Sequence, residues 1–337
     1  MRHQPVTIAI VLFAVLSVGT ALVLFMLGRW TALPLWALAV LLAFRWRSQP
    51  RTVAVLIIAA SVILRLHTIG FGFADQITVS LSAFDHVVAG GNPYGIGYES
   101  TVPPGAPFPY GPLGLVWWLP GPVIEFVAVV GTMALLWWRG AWLTFAFVAG
   151  WHQSIVLTFV GINDYSPGLL IAAAVVLLPK HAALAGTTLA IAAALKPYAA
   201  AWFLPFIGVG GAAAAAAIVG VSLIAWSPVI FVWGIPSFLR SLELAVLVHA
   251  DESANALDLP VLRWLAVPVA IAGMLIRRWE FAVLVGAIAF AVFLFTQHWA
   301  SYGYWMALAP AVGLAAESLW KDRATFRTLA ARRQAAV

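Results

Sequence analysis

The chain predicts an all-α polytopic membrane protein, and three observations predict it. Hydrophobic residues make up 64% of the 337-residue sequence and charged residues only 9%, against roughly 45–50% and about 25% in a soluble domain. The apolar residues fall in a succession of runs separated by short turns that carry the glycine, proline and charge. The lysines and arginines collect at the ends of alternate runs, the asymmetry expected when loops sort to two sides of a bilayer.

Taken in order, the candidate spans are 6–27, 31–44, 52–69, 122–138, 141–160, 167–178, 183–195, 198–207, 212–226, 260–276, 281–296 and 303–320. That is about twelve, within a range of about 10–13. The first run exceeds the roughly 7–15 residues of a signal-peptide core and is read as retained. Several runs are shorter than the roughly 20 residues of a simple span. Segment 31–44 and those between 167 and 207 are therefore expected to be tilted, broken or partly inserted. Irregular backbone at that depth survives only where protein or water covers it, so the short runs point to a cavity. Run 211–220, GAAAAAAIVG, is a small-residue face for close helix packing.

Thirteen of the 18 basic residues fall in the segments that lie inside if the N-terminus is inside, leaving Arg29, Arg65, Lys196, Arg240 and Arg263 outside. Segments 70–121 and 227–259 then face outward, both termini are cytoplasmic, and the basic tail 321–337 rests on anionic inner-leaflet lipid. The whole chain reads as one integral-membrane domain of a plasma (inner) membrane. The net charge of +6 is dispersed over span ends and is no nucleic-acid signal. With no cysteine, disulfide and thiolate chemistry are excluded.

The stretch Asp75–Gly114 is neither a span nor a short turn. Eight of the chain's 20 prolines lie between Pro93 and Pro122, which predicts an ordered loop, neither helix nor sheet. A short amphipathic helix over 76–89 precedes it. Ile77, Leu81, Phe84 and Val88 form its apolar stripe, with Asp75, Ser82 and His86 opposite, as in a helix lying in the membrane interface. A carboxylate at the start of such a helix, followed by a rigid loop, reads as the roof of an active site.

An Asp, then a helix, then GGNPYG and FPYGPLG, resembles the polyprenol-phosphate-mannose-dependent mannosyltransferases of glycosyltransferase family 87, within the GT-C superfamily. GINDYSPGLL (161–170), ALKPYAAAW (194–202) and TQHWASYGYW (296–305) follow in the family's order. The chain departs by an extra hairpin over 6–44 and by Gly161-Ile162-Asn163-Asp164 where many members have Gly-Gln-x-Asn. The resemblance implies a GT-C-like bundle with the outward helix and Pro-rich loop. It implies transfer of a sugar, mannose by family default, from a polyprenyl-phosphate donor to a glycolipid or polysaccharide acceptor on the outer face. Asp75 would be the general base, taking the proton of the attacking acceptor hydroxyl. Phosphate is a good leaving group, so cationic donors are the main requirement.

Each candidate residue also has a plainer reading. Asp75 can cap the following helix. Asp85 is the alternative base or an acid reaching water, about 15 Å further along the helix. Lys196, stopped by Pro197 at a span end, is a phosphate ligand or a snorkelling lysine. Arg65 and Arg240 are weaker ligands of the same kind. His298 among Gln297, Trp299, Tyr302 and Tyr304, and Asn163 with Asp164 in a short turn, are candidates for sugar or phosphate contact; the alternatives are an aromatic belt and local turn bonding. His86 and Tyr110 complete the substrate-binding set. Glu125 is placed near water, His152 and Gln153 in interhelical hydrogen bonds, and Trp117, Trp118, Trp137 and Trp138 in the belt. No spacing suggests a metal or other cofactor; the lipid-phosphate sugar is a substrate. A lipid-linked-sugar flippase and a non-catalytic envelope-assembly subunit are the competing readings.

Overall fold

The computed structural model describes residues 4–72, 74–102, 104–248, 259–297, 301 and 303–334, with side chains to residue 322. It is all-helical apart from one two-residue antiparallel pair. The long helices are α1 (Gln4–Met26), α2 (Ala32–Arg45) and α3 (Pro50–His67), then α4 (Gln76–Val88) at the head of the Pro-rich segment. Strands β1 (Gly97–Tyr98) and β2 (Ala106–Pro107) and the single turn α5 (Gly114–Trp117) follow. Next come α6 (Pro122–Trp138), α7 (Trp142–Gly150), α8 (His152–Val156), α9 (Tyr165–Leu177), α10 (Ala182–Leu195) and α11 (Phe203–Pro228). The remainder is α12 (Ile235–Val248), α13 (Ala266–Gly273), α14 (Trp279–Phe295) and α15 (Tyr304–Gln334).

Among the described residues, three helical runs are long and apolar enough to cross a membrane: Gln4–Met26, Pro50–His67 and Pro197–Trp233. Six shorter apolar helices of 10–17 residues accompany them. The expected run 141–160 is broken, because Trp151 adopts an extended conformation between α7 and α8. The separate runs 198–207 and 212–226 join into one helical stretch with a kink at Gly211, whose φ of 59° only glycine adopts cheaply. Proline and glycine set the other ends. Pro50 and Pro122 occupy first turns, and Pro197 ends α10 by forcing Lys196 into φ −133°, ψ 118°.

Helices in lipid gain little from apolar burial against one another, so close backbone approach takes over. A Cβ on Gly186 would press into Ala214 of α11, and one on Gly168 would strike the Met306 carbonyl of α15. Polar contacts also tie helix ends to one another. Lys321 Nζ donates to the Gly140 carbonyl at 2.9 Å, and Arg278 pairs with Asp322 at 3.1 Å. Elsewhere Thr31 bonds His67 at 2.8 Å, and Asn92 Nδ2 donates to the Trp233 carbonyl at 2.8 Å.

Two expectations for the Pro-rich stretch are corrected. It contains a small sheet, Gly97 opposite Pro107 and Tyr98 opposite Ala106. The buried face of α4 is Ile77, Val79, Ser80 and Ala83, while Val88 is 71% exposed. The reason is what covers the helix. Val79 and Ala83 pack with Tyr94, Tyr98, Phe108 and Leu115 into a core of the loop's own, to which α12 contributes Phe238. Small residues there let the loop approach, and the expected stripe is displaced.

Candidate functional site

Four segments distant in sequence are joined in two pairs by backbone hydrogen bonds. The turn before α9 docks on the start of α4: Ala74 N donates to the Val160 carbonyl, and Ile77 N to the Gly161 carbonyl at 3.0 Å. Gly161 has φ +103°, and a Cβ there would collide with the Ala74 carbonyl, so no other residue fits the crossing. The strap 107–114 docks on the end of α10 in the same way. Gly111 N reaches the Leu195 carbonyl at 2.9 Å and Leu113 N the Ala194 carbonyl at 3.1 Å. These are end-of-helix carbonyls left without intrahelical donors, and the loop supplies the missing N–H groups.

The result is a buried ion pair. Lys196 Nζ lies 2.6 Å from Asp164 Oδ1, with the lysine 4% exposed and the aspartate fully enclosed. Tyr198 donates its hydroxyl to the same oxygen at 2.7 Å. Gln76 Oε1 faces Lys196 Nζ at 3.5 Å and the Asn163 backbone N–H at 3.3 Å. The rings of Tyr110, Tyr198 and Tyr304 surround the ammonium at 5.1, 5.6 and 5.9 Å, a cation–π wall that substitutes in part for lost hydration. Asn163 Oδ1 and Nδ2 and Asp164 Oδ2 are buried without a hydrogen-bond partner among the described residues.

Asp75 immediately precedes Gln76 and is half-buried. It stands at the N-cap position of α4 but makes no side-chain capping bond. Burial raises the Tyr110 phenol well above its ordinary range, and the charges of Asp75 and Asp164 raise it further. Tyr110 therefore stays protonated, a hydrogen-bond donor beside two carboxylates.

The structure thus gathers Asp75, Tyr110, Asn163, Asp164 and Lys196, and places the other candidates elsewhere. Asp85 is exposed further along α4. His86 packs on Gly91 and meets the Tyr98 ring edge-on at 6.3 Å. Arg65 is fully buried, donating to the carbonyls of Val148 at 3.0 Å and Ala149 at 3.2 Å and to Ser154 Oγ at 2.8 Å. Its cation closes the C-terminal end of α7. Arg240 is exposed on α12 in an i,i+3 pair with Glu243. His298 lies outside the described residues.

Two plainer assignments change. Glu125 does not reach water: it is fully buried and accepts from Trp118 Nε1 at 2.7 Å, Tyr165 N at 2.7 Å and Ser166 N at 2.9 Å. Trp118 is accordingly an interior donor, not a belt residue. His152 does bond between helices, to Thr20 Oγ1 at 2.8 Å. Gln76 and Tyr198 enter the site although sequence reasoning did not single them out, and Tyr304, expected only among the aromatic neighbours of His298, joins them. Tyr198, two residues past Lys196 in Lys-Pro-Tyr, had the one usable signal. No family model, curated protein or solved structure matches the chain.

Proposed function

We propose that the protein is a membrane glycosyltransferase of GT-C type that moves a sugar, mannose by default, from a polyprenyl-phosphate donor to a glycolipid or polysaccharide acceptor outside the plasma membrane. The observation that carries this reading is convergence. The Asp75 segment, FPYGPLG, GINDY and ALKPY, spread over 120 residues of sequence, meet at one ion pair, and Tyr304 of the YGYW segment joins them.

In this reading Asp75 accepts the proton of the acceptor hydroxyl as its oxygen bonds to the anomeric carbon. The bond from that carbon to the phosphate oxygen breaks, its electron pair leaves with the lipid phosphate, and direct displacement inverts the anomeric centre. Lys196 and the protonated Tyr110 donate to the departing phosphate. Asp164 engages one of the ammonium's three donors and Gln76 faces a second at the longer distance, so the phosphate takes up a donor that is weakly held. Asn163 and the free oxygen of Asp164 bind sugar hydroxyls.

The wider reading is a bundle of about twelve spans with both termini inside. Contacts between ends assigned to one side support it: Lys321 with Gly140 and Arg278 with Asp322 inside, Thr31 with His67 and Asn92 with Trp233 outside. The test is purified protein in vesicles with a labelled short-chain polyprenyl-phosphate mannose and glycolipid acceptors. Label in the acceptor upholds the reading; label crossing the vesicle membrane without transfer replaces the transferase by a flippase.

A further inference from the structure

An α-helix begins with N–H groups that have no partner inside the helix, and a side chain at the N-cap position ordinarily accepts from one of them. In α9 that position belongs to Asp164, a residue well suited to the task. Yet Asp164 makes no side-chain capping bond. Its carboxylate is turned away, to Lys196 Nζ at 2.6 Å and Tyr198 OH at 2.7 Å.

The first-turn amides are satisfied from another helix. Glu125, in the first turn of α6, places Oε2 at 2.7 Å from Tyr165 N and 2.9 Å from Ser166 N, while Oε1 is held at 2.7 Å by Trp118 Nε1. Three donors fix this carboxylate, and it sits where the positive end of the α9 dipole favours an anion. Trp118 is itself fully buried and stacks edge-on against Tyr110 at 5.6 Å, so the support reaches the strap above Lys196.

We propose that Glu125 is a positioning residue for the Lys196–Asp164 pair: by capping α9 from α6 it frees Asp164 from its local role and holds it toward Lys196. Without a carboxylate from position 125 within reach of Tyr165 N and Ser166 N, Asp164 is the nearest acceptor for its own helix's amides. It rotates to them and releases the lysine. The inference rests on Lys196 and Asp164 forming the site, and it does not need the chemistry to be glycosyl transfer.

The sequence makes a direct test possible, because Lys180, Lys196 and Lys321 are the only lysines. Protein carrying 15Nζ-lysine and 13Cγ-aspartate is reconstituted in lipid, and nitrogen–carbon dipolar dephasing is read by solid-state NMR. In the parent protein the Lys196 signal dephases rapidly. Glu125→Gln keeps the size but presents an amide where Trp118 and two backbone groups all donate, and the rapid Lys196 dephasing should be lost while the Lys180 and Lys321 signals stay in place. Unchanged Lys196 dephasing in a folded Glu125→Gln protein overturns the proposal. Should that variant not fold, Glu125→Asp, which keeps the charge but draws it back by one methylene, decides by the same readout, with loss expected and retention fatal. The measurement involves no turnover, so failure of the transferase assay leaves it standing and its own failure leaves the transferase reading untouched.

Discussion

Lys196 and Asp164 share one enclosed hydrogen bond, so removing either strands the other. Breaking a buried pair costs about 3–5 kcal/mol because an uncompensated charge remains. Lys196→Ala should therefore lower thermal stability as well as activity. The double variant Lys196→Met with Asp164→Asn removes both charges and should recover most of the stability without the activity. Loss of a charge-assisted contact to phosphate, worth roughly 1.5–3 kcal/mol, predicts a fall of about tenfold to a hundredfold in kcat/KM. Lys196→Arg should rescue it only partly. Kinetics of the double variant equal to the parent's would remove Lys196 from donor binding. For Asp75 the amide is the conservative test, because Asn keeps the size and the capping ability of the side chain and removes only its basicity. Asp75→Asn should leave the melting temperature nearly unchanged while transfer falls by about 10²–10⁴, the usual worth of a general base. Asp85→Asn, exposed and about 15 Å further along α4, should keep most of its activity. If the two variants exchange behaviour, the base is Asp85.

Among the elements, helix positions were largely legible because proline and glycine mark them. Pro122 opens α6, Pro197 closes α10 and Gly211 kinks α11 where two runs had been expected. Which face each helix buries was less legible, because that depends on what covers it. In α4 the covering loop prefers Val79 and Ala83. The interfacial pattern expected of α4 also occurs in α12. Ile235, Leu239, Leu242 and Val246 recur at helical spacing and are all exposed, while Arg240 and Glu243 lie on the flank and Ser241 is buried, its hydroxyl accepting from Gly95 N at 2.8 Å. The stripe continues from the exposed Phe231 and Val232 at the end of the long apolar run, the arrangement of a helix lying in the headgroup boundary. Nitroxides introduced one at a time into this cysteine-free chain should show collision with dissolved oxygen at Leu239 and Leu242. Positions 240 and 243 should favour a water-soluble nickel relaxant. Equal access to the nickel reagent at all four would place the helix in water.

At the scale of the whole molecule, the motifs were readable in sequence but their meeting was not. Asn163, Asp164 and Lys196 stand out as polar residues in apolar surroundings, whereas the capping of α9 by Glu125, 40 residues upstream of Tyr165, leaves no periodic trace. Orientation is the remaining global property. Lys321 touches Gly140 and Arg278 touches Asp322, so these helix ends lie together. Asn92 touches Trp233 and Gly95 touches Ser241, so the Pro-rich loop and α12 lie together. These bonds hold within each group, so one probe is needed for each of the two expected sides. Ser48→Cys samples the arginine-rich turn between α2 and α3, and Val102→Cys samples the exposed loop. In intact cells an impermeant maleimide should label position 102 within minutes and position 48 only after permeabilisation. Labelling of 48 without permeabilisation would put Asp75, Lys196 and the Pro-rich loop in the cytoplasm, where a polyprenyl-phosphate sugar used for outer-face transfer does not meet them, and the mechanism built on Asp75 would fall with the orientation.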